Sequence, residues 1–502
     1  MPELENDLMN LALRRSLFYP SAEIYPSAPS GFWEFAMEGA AIRRNIVSMW
    51  RRLLVNAEGM IEIFGSQILP KEAFEASGHL ANFNDPLSQC TKCRALWRVD
   101  TLLAEHVNVN FPEGMPASKF DELIKKHKLK CKKCGSELGA TKRFNLMMGM
   151  EIGATGAQKG YLRPETAQNI FLDFARIYRS GRVNLPFGIA QAGQSFRNEI
   201  APRNSLLRAR EFGQMECEIF FNPEKINEVE RFEEVKGYKL NLLLLKSKSV
   251  QKISCSDAVG KKIVSGKLVA YYLARTQQLY EKFGLPEKIM RFRELDSDER
   301  AFYAKETWDF EVETPNGWVE LVACNYRTDY DLKAHAEKSK KEITVTEDGK
   351  RFVPHVFELS AGVDRTLFAV LGTLMKKEKR GPEERIYLGI PARLAPSQCA
   401  VFPLVKKDGL YEKAMEIYRE LGAHGFDVLF DEKGSIGKRY ARVDEVGVPY
   451  AITVDYETLS GKTKGTVTLR ERNSMAQKRV KAAELPRHLW KLLSQGKTDD
   501  LK

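Results

Sequence analysis

Phe196-Arg197-Asn198-Glu199, followed after a short loop by Arg208, Phe212 and Glu216, constrains this chain more than any other stretch. It reads F-R-x-E, a basic loop (Arg203 to Arg210), then R-x-x-x-F-x-x-x-E. The pattern predicts two strands over residues 190–221. A downstream partner is Gly362-Val363-Asp364-Arg365. Arg197 and Arg365 offer planar, bidentate neutralisation of phosphate. Phe212 offers a face on which adenine can stack. Glu199 and Glu216 can orient ATP, a divalent ion or an amino group. Taken singly, each residue has a bland reading, such as a solvated arginine beside a core phenylalanine. The ordered set, with its spacing and the later Gly-x-Asp-Arg, is another matter.

At 502 residues the chain is too long for one core, and length alone suggests roughly three domains. Hydrophobic residues at 43% and aromatics at 10% fit a globular protein. Seventy-eight Lys+Arg against 67 Asp+Glu leave a net charge of +11. That excess suits either a solubilising surface or a polyanionic partner. No run of about 18 apolar residues occurs, so no membrane span is expected. The acidic opening, Met1 to Asp7, lacks an apolar signal core. A cytoplasmic enzyme is the expectation.

Four of the eight cysteines (Cys217, Cys255, Cys324 and Cys399) are scattered, and read as free structural thiols. Cys90-x-x-Cys93 and Cys131-x-x-Cys134 form two tight pairs. Such pairs suit Zn2+, which takes four thiolates in a tetrahedron. The alternative is two reduced, metal-free pairs. Four thiolates leave no open coordination position, so the metal's role would be structural.

Along the chain, a helix through Asn45 to Arg52, a strand-like Met60 to Phe64 and Pro70 form one unit. Residues 82–140 read as an insertion holding the cysteine pairs and a Lys-rich helix at Phe120 to Lys130. Residues 223–290 read as a second insertion, with a small β-like patch around Ile263 to Val269. Trp318 to Val322 and Val356 to Gly362 are strand candidates, the latter running into a helix. Lys376 to Glu384 reads as a charged linker. Residues 395–502 alternate strand and helix, which predicts a separate α/β domain with a mostly parallel sheet. Residues 1–390 then form the catalytic domain.

The two arginine-bearing segments resemble motifs 2 and 3 of the class II aminoacyl-tRNA synthetases, and the helix–strand–proline unit resembles motif 1. Further stretches narrow the resemblance: Ser77-Gly78-His79, Arg163-Pro164-Glu165-Thr166, Glu358-Leu359-Ser360-Ala361-Gly362, Val401-Phe402-Pro403-Leu404 and Gly434 to Arg442. With the cysteine-paired insertion, these are similar to glycyl-tRNA synthetase of the dimeric type, in its archaeal and eukaryotic branch.

The resemblance implies an α+β fold: an antiparallel catalytic sheet of about six or seven strands flanked by helices, plus an anticodon-binding α/β domain. It implies ATP, Mg2+, glycine and the tRNA for glycine as partners, and a homodimer formed through motif 1. Catalysis falls to Arg197 and Arg365. The ATP site comprises Arg197, Asn198, Glu199, Leu207, Arg208, Phe212, Glu320, Leu321, Gly362 and Arg365. Glycine falls to Arg98, Glu165, Glu216, Glu358 and Ser360, whose clustered carboxylates make sense around an ammonium. Lys438, Arg439, Arg442, Arg470 and Arg472 would meet tRNA.

Three stretches depart from the family pattern. Gly31 to Gly39 carries Ala36-Met37 where Gly-Pro is usual. Ala323-Cys324-Asn325-Tyr326-Arg327 replaces Gly-Ile-Ala-Asp-Arg, and Arg470-Glu471-Arg472-Asn473 replaces Arg-Asp-Arg-Asp. Three rival readings are a catalytically silent nucleic-acid-binding relative, a class II enzyme for another small amino acid, and a zinc-dependent nucleic-acid module. The first would lose Arg197, Arg365 or the carboxylates. The second needs a reader for a hydroxyl. The third would not need motifs 2 and 3.

Overall fold

A computed structural model describes residues 2–107, 115–200, 202, 205–297, 299–301, 303–315, 317–380 and 383–495. Arg203, at the start of the predicted basic loop, lies outside them.

One mixed sheet organises the first domain. Its strands are β1 (Ile61–Glu62), β2 (Phe187–Phe196), β3 (Glu211–Phe221), β4 (Lys239–Leu243), β5 (Gln251–Ser254), β6 (Met290–Glu294), β7 (Glu306–Thr314), β8 (Gly317–Thr328) and β9 (His355–Gly362). They lie in the order β5-β4-β6-β7-β8-β9-β3-β2-β1. The pairs β1–β2 and β4–β6 are parallel. The five pairs between them are antiparallel, as is the edge pair β5–β4. The sheet has nine strands rather than the six or seven expected. The insertion contributes β4 and β5 to its edge instead of forming a body of its own.

Side chains alternate across the pleat and give the sheet two unlike faces. Met215, Cys217, Ile219 and Phe221 of β3 enter the main core with Phe357 and Leu359 of β9. That face is packed by α1 (Met37–Trp50), α3 (Lys267–Lys282) and α5 (Val363–Leu374). On the other face, Phe220 and Val356 join Ile170, Phe171 and Phe174 of α2 (Ala167–Gly181) and Leu332 of α4 (Tyr330–Ser339). Toward the opposite end of β3 and β9, Phe212, Gln214, Ser360 and Gly362 line a cavity. The same alternation that seats α2 therefore aims polar residues of β3 and β9 at the site.

Several local expectations change on folding. Val269 lies inside α3, not in a β-like patch, because Leu268, Val269, Leu273 and Leu279 bury together at helical spacing. The insertion's strands lie earlier, at β4 and β5. The predicted charged linker is an antiparallel hairpin, Met375–Arg380 with Glu383–Leu388. The helix placed at Phe120 to Lys130 spans Ala117–Lys126. At the Ala36-Met37 departure, Met37 takes φ 46, a left-handed conformation costly for a residue with a side chain. Its side chain is 75% exposed, so nothing in the core compensates.

The second domain holds β10 (Cys399–Pro403), α6 (Leu410–Ala423), β11 (Val428–Phe430), α7 (Ile436–Glu445), β12 (Tyr450–Val454), β13 (Thr466–Glu471), β14 (Gln477–Lys481) and α8 (Leu485–Gln495). Its sheet order is β11-β10-β12-β13-β14, with the first three strands parallel and the last two antiparallel. Ser435 caps α7 through the Lys438 N–H. Polar ties bind the two domains. Arg14 pairs with Glu445 at 2.8 Å, and Arg472 Nη2 donates to the Ile390 carbonyl at 2.8 Å.

Candidate active site

The cavity is lined at one end by Arg197, Glu199, Leu207, Arg208, Phe212, Glu320, Leu321, Gly362 and Arg365, all predicted for ATP. Arg197 reaches it from the end of β2. Its guanidinium lies 5.3 Å from the Phe212 ring centre and 5.3 Å from that of Phe83. Its Nε donates to the Pro164 carbonyl at 3.2 Å, the guanidinium's one hydrogen bond among the described residues. Glu199 accepts from Arg208 Nε at 2.7 Å. Arg365, on the first turn of α5, donates to the carbonyls of Leu207 and Glu320 at 3.1 and 3.2 Å. Asn198 is absent from the lining; its backbone N–H bonds the Leu146 carbonyl at 2.8 Å.

The other end is acidic. Glu165, Asn325, Glu358 and Ser360 line it, with Tyr303 and Ala323. Burial alone would raise Glu165, yet the charge and hydrogen bond of His79, with Arg327 and Gln168, hold it below the usual carboxylate range. His79 Nε2 stands 3.5 Å from Glu165, and its Nδ1 shares a hydrogen bond with Ser77 at 2.7 Å. Glu358 behaves oppositely. Burial pushes it up to about 7 against the pull of Arg327, with Glu165 and Glu216 adding to the rise. It accepts from Arg327 Nη1 at 2.7 Å and from Asn325 Nδ2 at 2.5 Å.

Glu216 does not front the cavity as expected. It lies behind it, accepting from the hydroxyls of Ser360 and Thr166 and from Gln214 Nε2 at 3.1 Å. Burial raises it, and Glu165 raises it further. Its route to a ligand runs through Ser360. Arg98 is also elsewhere: it pairs with Asp85 at 3.2 Å and Asp100 at 2.5 Å, and lines a neighbouring cavity that shares Arg208.

Arg327, Asn325 and Tyr303 are among the residues at the site that were not assigned from sequence. Arg327, 1% exposed, binds Asp331 through two bonds of 2.8 Å as well as Glu358. Its i,i+4 spacing to Asp331, across the β8–α4 junction, was the available signal. Asn325 occupies one of the departures noted above and links Glu358 to the Thr307 hydroxyl. Tyr303 comes from an irregular segment with no pattern to mark it.

In the insertion, the sulfurs of Cys90, Cys93, Cys131 and Cys134 lie within 4.8 Å of one another. Tetrahedral zinc at about 2.3 Å from each would need spacings near 3.8 Å. Cys90–Cys134 and Cys93–Cys131 stand at 3.5 Å, and Trp97 Nε1 donates to Cys131 Sγ at 3.3 Å. The donor set fits zinc, with an indole N–H supporting one sulfur.

Of the five residues expected to meet tRNA, Arg439, Arg470 and Arg472 are buried, at 3%, 4% and 1% exposure. Arg439 donates to the carbonyls of Pro403 and Leu404, and Arg470 grips Asp444 through two bonds of 2.9 Å. Arg472 donates to the carbonyls of Gly447 and Ile390. Most of their donors are taken up inside the protein, while Arg439 Nε is buried without a hydrogen-bond partner among the described residues. Lys438 is exposed, and Arg442, half-buried, pairs with Asp431.

This antiparallel core, with its paired arginines and a separate α/β domain, is that of a class II tRNA synthetase. Residues 152–373 match the tRNA synthetase class II core domain (G, H, P, S and T), and residues 398–492 match the anticodon binding domain. The glycine–tRNA ligase of Methanocaldococcus jannaschii is 36% identical over 98% of this chain and 100% of its own length. Those of Pyrococcus furiosus (37%; 97% and 98%) and Thermococcus kodakarensis (36%; 99% and 99%) are similar to the same extent. The chain belongs to the glycine–tRNA ligase family.

Proposed function

We propose that the chain activates glycine with ATP and transfers it to the 3′ end of the tRNA for glycine. The observation that carries this reading is one cavity lined by Arg197 and Arg365 together with Glu165 and Glu358. In the first step a glycine carboxylate oxygen attacks the α-phosphorus. The bond to the bridging oxygen breaks, and pyrophosphate leaves. Arg197 stabilises charge on the α-phosphate and carboxylate, while Arg365 holds the γ-phosphate of a bent nucleotide. Preorganised donors of this kind contribute roughly 3–4 kcal/mol each in a transition state. In the second step a ribose hydroxyl of the terminal adenosine attacks the glycyl carbonyl, and AMP leaves.

Mg2+ carried with the nucleotide neutralises phosphate charge. Glu199 and Glu320, the carboxylates paired with Arg208 and Arg365, are its candidate protein ligands. At the acidic end, Glu165 and Glu358 bind the ammonium, and Glu216 acts through Ser360. The four clustered cysteines hold structural zinc. Motif 1, comprising α1 and the edge strand β1, forms the homodimer contact; nearby Phe64 is 92% exposed, which supports a covered surface there. All eight cysteines are free of disulfides, in keeping with a reducing cytoplasm. No helix among the described residues is long and apolar enough to cross a membrane. Lys438 is the exposed candidate for tRNA backbone on α7.

Pyrophosphate exchange into ATP, run with each amino acid in turn, tests the reading. Exchange with glycine alone is expected. No exchange with any amino acid, or better exchange with serine or threonine, contradicts it.

A further inference from the structure

Glycine offers no side chain to grip. An added methyl normally strengthens binding by about 0.8 kcal/mol, so selection against alanine needs a wall, not an attraction. At the acidic end most lining groups are polar: Glu165, Asn325, Glu358 and Ser360. Leu207, Phe212 and Leu321 lie beside the two arginines instead. Leu207 and the Glu320–Leu321 segment flank Arg365, and Phe212 lies under Arg197. Leu206 and Ala209 belong to the same segment as Leu207 and Arg208; that leaves Tyr303 and Ala323 to supply carbon surface near the carboxylates, and of these only Tyr303 has bulk.

The Tyr303 ring is well placed to act as a rigid wall. The Arg327 guanidinium lies 3.9 Å from its centre, and the Phe171 ring centre stands 5.1 Å from the same guanidinium. Arg327 is itself fixed by Asp331 and Glu358. A cation held between two aromatic rings and by two carboxylates has little freedom, so the ring stacked on it is anchored to the same ion pairs that hold Glu358.

We propose that Tyr303 is a specificity-determining residue. Its ring, stacked on Arg327, fills the space that a substrate side chain larger than hydrogen would need. The assignment rests on the glycine reading above and goes beyond it by naming the group that excludes alanine. Arg327 is the positioning residue that sets the ring.

The test is the ratio of alanine to glycine kcat/KM in pyrophosphate exchange. Tyr303→Ala is expected to raise that ratio about tenfold or more, the scale of one methylene in a shaped pocket. Tyr303→Phe, which keeps the ring, is expected to leave it unchanged. Tyr303→Val shortens the wall while keeping carbon on Arg327, and gives the same reading if the alanine variant fails to fold. Glycine and alanine rates falling together at a constant ratio would overturn the assignment, since a structural role alone moves both. So would a phenylalanine variant as permissive as the alanine one. Absence of glycine-dependent exchange in the unaltered protein would instead overturn the parent reading, and this assignment with it.

Discussion

Arg43 Nε on α1 donates to Asp364 Oδ1 on α5 at 2.6 Å, and Asp364 Oδ2 accepts the Gly213 N–H of β3 at 2.7 Å. One carboxylate thus joins α1, the central strand and the helix that carries Arg365. A side chain at residue 213 would place its Cβ 2.1 Å from Arg43 Nη2, so it would push the guanidinium out of its place beside Asp364. Asp364→Ala should cost about 1.5–3 kcal/mol, the scale of hydrogen bonds to a charged group. Exchange should also fall, because Arg365 is the next residue. Urea unfolding together with exchange assays checks both, and an unchanged midpoint would contradict the linkage.

Among the described residues the Arg197 guanidinium makes one hydrogen bond, to the Pro164 carbonyl, so its removal should affect chemistry more than folding. Arg197→Ala should lower glycine-dependent exchange by about 10²–10³-fold, with the unfolding midpoint nearly unchanged. Retained exchange would count against its role at the α-phosphate.

The environment of Glu358 predicts a pH dependence. Burial holds its proton up to about 7 in the folded protein, against an ordinary value of 4.5. The folded state therefore binds more protons than the unfolded state between those values. The contribution of this group to stability is present below that window and is lost as pH rises through it. An arriving ammonium favours the ionised form, so glycine binding should release a proton below about pH 7. Glycine affinity should rise with pH up to that point and then level off. Calorimetry in two buffers of different ionisation enthalpy reads the proton. Equal heats in both would contradict the assignment.

The insertion packs a small apolar cluster of Val99, Leu103, Phe120 and Ile124. A structural zinc site typically supplies about 10–16 kcal/mol of folding free energy, so this cluster should depend on the metal while the nine-stranded sheet does not. About one zinc per chain is expected by metal analysis. Chelation should open residues 82–140 to protease before the rest of the chain. Reduced protein that holds no zinc and resists protease equally would rule the site out.

The strands of motif 2, the helix after Gly362 and the C-terminal β-α-β alternation were legible because each depends on local periodicity. The nine-stranded sheet was not, since the place of β4 and β5 at its edge is a long-range choice. The site split along the same line. Arg197, Phe212 and Arg365 follow each other in recognisable spacing, and the fold brings them into one cavity. Arg439, Arg470 and Arg472 read as surface cations, yet carbonyls at chain turns and the Asp444 carboxylate take up their donors. A sequence shows that an arginine is present, not whether backbone oxygens already occupy it. Arg327 and Tyr303 escaped for the converse reason: their roles arise from stacking between segments that carry no shared pattern.

A crystal structure with glycine and a non-hydrolysable ATP analogue tests the central claim most directly. The account predicts a bent triphosphate with its α-phosphate at Arg197 and its γ-phosphate at Arg365, and the glycine ammonium between Glu165 and Glu358. A triphosphate bound away from either arginine, or an ammonium that meets neither carboxylate, would contradict it.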